Sequence, residues 1–301
     1  MLHAEERIRP WILETPVLPS PLGPVFKLEN RQHTHSFKVR GAFSKLLALS
    51  PPDRAGGVIA ASTGNHGAAV AYAAAKLGTR ACIVVPQGAN PGKLATIRAL
   101  GAAVETHGTD SAEAEAHARR ESVGRGIPYV SPYNDLTVIA GQGTVGIELA
   151  RQLPRAEVVF IALGGGGLLA GVAAHLKAIW PGVVVIGCSP ENSAVMIASV
   201  AAGRILELES KPTLSDGTAG GIEPGAITFE LCRALADDYI TVSEAEILAA
   251  MRRIYQAHGF LVEGAAGVAL AGYFRQAEQW RDRTAVVILC GGNVNPAVLA
   301  R

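Results

Sequence analysis

Four short stretches of this 301-residue sequence combine residue types that could do chemistry. Ala162–Gly171, reading ALGGGGLLAG, runs an apolar segment into four glycines and then into a helical pattern. Such a loop can aim several backbone N–H groups at one anion, and the following helix N-terminus adds partial positive charge. A flexible turn is the competing reading. Leu169 stands where the third glycine of G-x-G-x-x-G belongs, and no G-K-[ST] occurs, so neither a dinucleotide fingerprint nor a P-loop is indicated. Ser62-Thr63-Gly64-Asn65-His66-Gly67 lies between a strand-like run and an alanine-rich helical pattern. Free N–H groups at that junction bind a carboxylate, or Thr63 or Asn65 simply caps the helix. His35-Ser36-Phe37-Lys38-Val39-Arg40-Gly41 sets one lysine beside an aromatic ring. A lysine becomes a nucleophilic amine and Schiff-base former when its surroundings lower its pKa. Otherwise it is a surface residue whose stem lies on apolar neighbours. Cys290-Gly291-Gly292-Asn293 closes an apolar run. A thiol there can face a ligand at a strand's C-terminal end, or be a buried structural cysteine.

These stretches must be positioned by regular elements. Residues 25–29 read as a strand, and 38–49 as a helix with Ser36 as its N-cap and Pro51 and Pro52 ending it. Strands at 57–61, 81–86 and 102–107 alternate with helices at 66–77, 91–100 and 110–122. A second series has a helix at 143–152, strands at 157–163 and 183–189 around a helix at 168–179, and a last strand at 285–290. The alternation predicts an α/β protein of two three-layer lobes, each an open parallel or mixed sheet. Residues 1–44 and 136–301 are expected to form the large lobe, with 45–135 inserted as a small one and the lysine segment facing both.

Composition narrows the function classes. Hydrophobic residues make up 49% and charged ones 18%, which suits buried strands covered by helices. The net charge is +1 and no basic run stands out, so neither nucleic acid nor an anionic membrane is an expected partner. No apolar stretch is long enough to cross a bilayer, and MLHAEERIRPW has no signal-peptide core. The four cysteines (Cys82, Cys188, Cys232, Cys290) lack CxxC spacing and the eight histidines lack a ligand pattern. Free thiols in a reducing cytoplasm are expected, and no metal site.

Taken together and in this order, the four stretches resemble the fold-type II pyridoxal-phosphate enzymes, the tryptophan-synthase β-like group. Within it they resemble the serine/threonine dehydratase and serine racemase branch. The likeness runs from KLEN (27–30) to CGGN (290–293) and includes IAGQGT (139–144) and EGAAGV (263–268). Ser-Phe-Lys followed by Arg-Gly-Ala is specific to that branch. The resemblance implies pyridoxal 5'-phosphate as cofactor, held covalently by Lys38, which then removes the α-proton of a small amino acid. Phe37 packs beside the cofactor, Asn65 bonds its phenolic oxygen, and Gly164, Gly165, Gly166, Gly167 and Leu168 hold its phosphate. Gly217 and Glu263 line the ring, and Cys290 meets the pyridine nitrogen. Ser62, Thr63, Asn65, His66 and Tyr133 face the substrate. The implied activity is loss of water from L-serine or L-threonine, giving a 2-oxo acid and ammonia, by a homodimer. A neutral thiol at position 290 leaves the ring a weaker electron sink than a carboxylate would, which favours β-elimination over transamination.

The sequence also departs from that pattern. Thr63 stands where racemases carry a second, opposite-face serine base, so racemisation of serine or 3-hydroxyaspartate is the alternative. Ser189 and Val195 occupy the racemases' metal-site positions, and no divalent metal is expected. Tyr133 replaces Phe or Asn, His35 replaces a glycine and His33 a proline, which opens larger β-hydroxy amino acids as substrates. The chain ends just after the last motif, so a catabolic enzyme without isoleucine feedback is expected. A non-enzymatic metabolite-binding protein that kept the glycine loop is the remaining reading.

Overall fold

A computed structural model describes residues 1–300 of the chain. Its strands are β1 (Val17–Pro19), β2 (Val25–Lys27), β3 (Val58–Ala61), β4 (Ala81–Val85), β5 (Ala103–Thr106), β6 (Val158–Ala162), β7 (Val184–Pro190), β8 (Asp238–Val242) and β9 (Ala285–Ile288). They form a six-stranded sheet in the order β1-β2-β9-β6-β7-β8 and a three-stranded sheet in the order β3-β4-β5. Only the β1–β2 pair is antiparallel. Helices cover these sheets, and β6 and β9 are buried at every position, the mark of a parallel sheet covered on both faces. We infer two lobes from this division, the smaller built on β3–β5. The expected boundary at 44/45 falls inside the unbroken helix Lys38–Ala48. Val39, Ala42, Phe43 and Leu46 of that helix share a core with Val58, Ala60, Val70 and Ile83 of the smaller sheet and its helix. No helix among the described residues is long and apolar enough to cross a membrane.

Local differences from the sequence reading have physical causes. Ser36 is not the helix N-cap. Phe37 takes that place with helical angles, while Ser36 Oγ accepts the Lys38 N–H at 3.3 Å. Pro51 and Pro52 do not merely end the preceding helix. They open a short one, Pro51–Gly56, where Ser50 Oγ accepts the Asp53 N–H and the missing proline N–H groups cost nothing. The strand expected at 25–29 stops at Lys27 and turns into a 3-10 segment at Glu29–Arg31.

Beneath the lysine segment lies a network of buried charge. The Arg40 guanidinium donates to both oxygens of Glu29 at 2.8 Å and to both of Glu148 at 2.6 and 2.8 Å. Lys27 Nζ donates to the same Glu148 at 2.6 Å, to Gln152 Oε1 at 2.9 Å and to the Thr15 carbonyl. Arg40, Lys27 and Glu29 are fully buried. Burial alone would lower the Arg40 pKa, but the Glu29 and Glu148 carboxylates outweigh it and raise it. Two cations face two carboxylates, so the quartet is neutral as a set. Removing one member strands a charge without water. Arg40→Met is therefore expected to lower unfolding stability by about 3–5 kcal/mol, read from urea unfolding of the purified variant.

Candidate active site

Strands β3, β4, β6 and β9 end at one cleft of about 1640 Å³. A crevice beyond the C-terminal ends of strands is where open α/β sheets bind ligands. The structure gathers every sequence-predicted site residue into its walls: Phe37 and Lys38, then Ser62, Thr63, Asn65 and His66 after β3, and Tyr133. Gly164, Gly165, Gly166, Gly167 and Leu168 follow β6, and Gly217, Glu263 and Cys290 complete the lining.

Lys38 is half-buried at the first turn of its helix. Its Nζ donates to the Pro132 carbonyl at 2.9 Å and lies 5.3 Å from the centroid of the Phe37 ring. Burial lowers its pKa to about 8, although Cys290 and Glu263 pull it back upward. No carboxylate neutralises this amine within hydrogen-bond reach among the described residues, so it can give up its proton near neutral pH.

Glu263 precedes the helix Gly264–Gln276 and is buried. Burial raises its pKa to about 7, and the Asn65 side chain, donating to its two oxygens at 2.9 and 2.8 Å, partly offsets that. Asn65 Oδ1 in turn accepts from Asn293 Nδ2 at 2.7 Å. Both ends of the Asn65 amide are thus engaged by protein. The Cys290 thiol sits 4.0 Å from Glu263 Oε1, and burial, reinforced by that carboxylate, pushes its pKa well up, so the sulfur stays protonated. His66 Nε2 bonds the Val130 carbonyl at 2.8 Å, and burial, then the nearby Lys38 charge, lower its pKa to about 3. A carbonyl only accepts, so the neutral ring carries its proton on Nε2 and leaves Nδ1 as an acceptor.

The glycine loop is built as an anion cradle. No N–H from Gly164 to Leu169 has a hydrogen-bond partner among the described residues, and the first donor committed to the helix is Ala170, to the Gly166 carbonyl. Gly166 has φ +86°, a left-handed angle that favours glycine, and a Cβ on Gly165 would lie 2.3 Å from Tyr133 Cδ1. The Tyr133 hydroxyl accepts the Glu223 N–H at 2.9 Å, and burial raises the phenol pKa to about 12. Glu223 also pairs with Arg119, and Lys93 pairs with Asp216 at 2.7 Å, so the 216–223 segment is tied across the cleft to the smaller sheet's helices. This donor set fits pyridoxal phosphate. The unpartnered N–H groups beside a helix N-terminus would hold a phosphate, the Lys38 amine could condense with an aldehyde, and the protonated Cys290 thiol would offer a ring nitrogen a neutral partner.

Ser189 Oγ donates to the Leu163 carbonyl at 2.7 Å, and Val195 is buried in the apolar core. Sequence reasoning assigned no role to Pro132 or Asn293. Pro132 carries no side-chain signal, because its contribution is a carbonyl. Asn293 lies inside the quoted CGGN motif, and its position after a strand end was the available hint.

A sequence model of the family described as "Pyridoxal-phosphate dependent enzyme" matches residues 8–291. The L-threonine ammonia-lyase of Thermotoga maritima is 42% identical over 275 residues, covering 91% of this chain and 68% of that protein. A processed threonine deaminase isoform from Solanum lycopersicum superposes with TM-score 0.93 at 34% identity, covering 99% of this chain and 91% of that one. Maize serine racemase superposes with TM-score 0.93 at 33% identity, covering 99% and 94%.

Only the unprotonated Lys38 amine is nucleophilic, and its pKa is about 8. Attachment of pyridoxal phosphate to apoprotein should therefore speed up about tenfold per pH unit as pH rises toward 8, then level off. Borohydride-fixed mass gain, followed over time between about pH 6 and pH 9, checks this. The cradle, the amine and the thiol in one cleft, with these likenesses, establish that the chain belongs to the pyridoxal-phosphate-dependent enzyme family, in its fold-type II branch.

Proposed function

We propose that the protein is a serine/threonine ammonia-lyase, removing water and then ammonia from a small L-β-hydroxy amino acid. In the net reaction the Cα–H and Cβ–O bonds break and water leaves. The released enamine then takes water back and yields a 2-oxo acid and ammonium, with no oxidant or reductant. The observation that carries this reading is Cys290, a buried thiol kept protonated at the position that the resemblance sets beside the ring nitrogen. A neutral partner there disfavours reactions that need a long-lived carbanion and leaves β-elimination as the favoured outcome. The threonine ammonia-lyase and threonine deaminase likenesses support the same class.

When bound, pyridoxal phosphate supplies an aldehyde that condenses with amines and draws electrons away from the substrate's Cα. The chain's own residues do the rest. The N–H groups of Gly164–Leu169 hold the phosphate. Lys38 Nζ, whose pKa desolvation lowers to about 8, is the group that takes the α-proton as general base. The Ser62–His66 junction orients the substrate carboxylate at a helix N-terminus, Asn65–Lys76. Tyr133 and residues 216–221 form one wall of the cleft, fixed by the Tyr133 hydroxyl accepting the Glu223 N–H. A second reading rests on Thr63, whose hydroxyl lines the same cleft and would serve a serine racemase as its opposite-face acid. A cytoplasmic homodimer belongs to this proposal, supported for the compartment by four free cysteines.

The purified protein is expected to release 2-oxo acid from L-threonine and L-serine. Lys38→Ala is expected to lose turnover on the order of 10³-fold. A 2-oxo-acid assay alongside chiral analysis of the recovered amino acid checks both. Racemised serine without 2-oxo acid would replace the lyase reading with the racemase one.

A further inference from the structure

Asn293 lies just past β9, where the chain is sewn to the segment that leads into Lys38. Ser36 and Gly291 pair as an antiparallel bridge, the Phe37 N–H donates to the Cys290 carbonyl at 3.1 Å, and the Gly292 N–H donates to the His35 carbonyl at 2.9 Å. The Asn293 side chain continues this seam. Its Nδ2 donates to the Thr34 carbonyl at 2.8 Å and to Asn65 Oδ1 at 2.7 Å. Both hydrogens of the Asn293 amide are thereby committed to protein acceptors.

The order of these bonds fixes which way Asn65 faces. The two ends of an amide have nearly the same shape, so its hydrogen-bond neighbours decide where the oxygen goes. Glu263 does not decide it. Burial raises the Glu263 pKa to about 7, so its carboxyl can accept from an amide nitrogen or, once protonated, donate to an amide oxygen. The Thr34 carbonyl does decide it, because a carbonyl only accepts. Thr34 is buried, and no other donor reaches its carbonyl among the described residues. Asn293 must therefore turn Nδ2 toward Thr34. The same nitrogen meets Asn65, which must answer with its oxygen. The Asn65 nitrogen is left facing Glu263, 2.9 and 2.8 Å from the two carboxylate oxygens. Those oxygens belong to one carboxylate and subtend a narrow angle at the nitrogen, so one hydrogen serves both. The second hydrogen is left for a ligand in the cleft that Asn65 lines.

We propose that Asn293 is a positioning residue for the cofactor: it holds the Asn65 amide with its nitrogen inward, so that the phenolic oxygen of pyridoxal phosphate always meets a hydrogen-bond donor. The proposal rests on the reading of Asn65 as the partner of that oxygen, and it applies to a lyase and a racemase alike. A donor there stabilises the anionic form of the phenolic oxygen. An amide turned the other way sets oxygen against oxygen. Asn293 acts through Asn65 alone.

The test titrates pyridoxal phosphate into apoprotein and records the absorption spectrum of the loaded protein. It compares wild type, Asn293→Asp, Asn293→Ala and Asn65→Ala, and each Asn293 change combined with Asn65→Ala. Asn293→Asp keeps the shape of the side chain but only accepts, so it draws the Asn65 nitrogen outward and turns the oxygen inward. It is expected to weaken cofactor binding at least about tenfold and to move absorbance from the visible band to the near ultraviolet. Asn293→Ala leaves Asn65 free to face either way and is expected to fall between wild type and Asn293→Asp. A role in packing alone predicts the reverse order, with the variant of like shape the milder one. A charge effect of Asn293→Asp on the anionic cofactor would persist without Asn65. An orientation effect vanishes, so in the Asn65→Ala background both Asn293 changes are expected to alter affinity less than about twofold. Asn293 is exposed at the edge of the cleft, and Asn293→Ala carries the same cycle without adding a charge. Equal losses in the two backgrounds, or an Asn293→Asp variant that binds as tightly as wild type, overturn the proposal and leave Asn65 as the cofactor's partner. Wild-type affinity and spectrum in Asn65→Ala overturn the reading of Asn65 and this proposal with it. Both readouts are independent of 2-oxo-acid release, so this proposal and the lyase reading fail separately.

Discussion

The buried meeting of Arg40 with Glu29 and Glu148 fixes the place from which everything else is measured. Arg40 is two residues beyond Lys38 on the same helix, and its guanidinium reaches both the segment after β2 and the helix Thr144–Gln152. Full burial makes this arrangement all-or-none. With every charge matched it is tolerated, and with one missing it is not. The lysine helix therefore has one allowed position relative to the larger sheet. The amine at its start inherits that rigidity, as the base proposed above would need in order to meet one particular C–H bond.

The cleft then sorts its ionisable groups by desolvation. The same burial that brings the Lys38 ammonium close to losing its proton raises the Glu263 carboxyl and the Cys290 thiol. Near neutral pH all three shift toward their uncharged forms. The anion-binding capacity of the site thus resides in fixed backbone dipoles, in the glycine loop and at the start of the Asn65–Lys76 helix, and not in titrating side chains. Such dipoles need no reorganisation when a ligand arrives.

The sequence was most legible where backbone chemistry constrains residue type. Four glycines between a strand and a helix point to an anion-binding loop on their own, and Gly166 indeed takes a left-handed angle there, whereas the Ser-Thr-Gly-Asn-His junction reads equally as a plain helix start until the resemblance is added. Lys38 and Cys290 became legible only through the company they keep. Less was readable where tertiary contacts decide. Nothing in the spacing of Lys27, Glu29, Arg40 and Glu148 shows that they meet, since the last is more than a hundred residues away from the others. Residues 190–284 carry no alternation clear enough to predict elements, yet Ser243 and Glu246 there form a reciprocal capping box that opens the helix Glu244–His258. Pro51 and Pro52 are ambiguous in sequence because proline stops one helix and starts another by the same fixed φ, and only the Ser50 cap tells which.

The ties across the cleft mouth carry a consequence for how the site meets salt. Lys93 and Asp216 are 44% and 66% exposed, and the Arg119–Glu223 pair is only partly covered. Ion pairs so wet are each worth little and are screened by salt. These outer ties are therefore the part of the cleft wall most sensitive to ionic strength. The 216–223 segment is also held from within: Ile222 sits in the apolar core, Thr218 packs so closely on Gly164 that a Cβ on that glycine would lie 2.9 Å from the Thr218 Cα, and the Glu223 N–H bonds the Tyr133 hydroxyl, so brine that strips the outer pairs leaves this wall of the cleft standing.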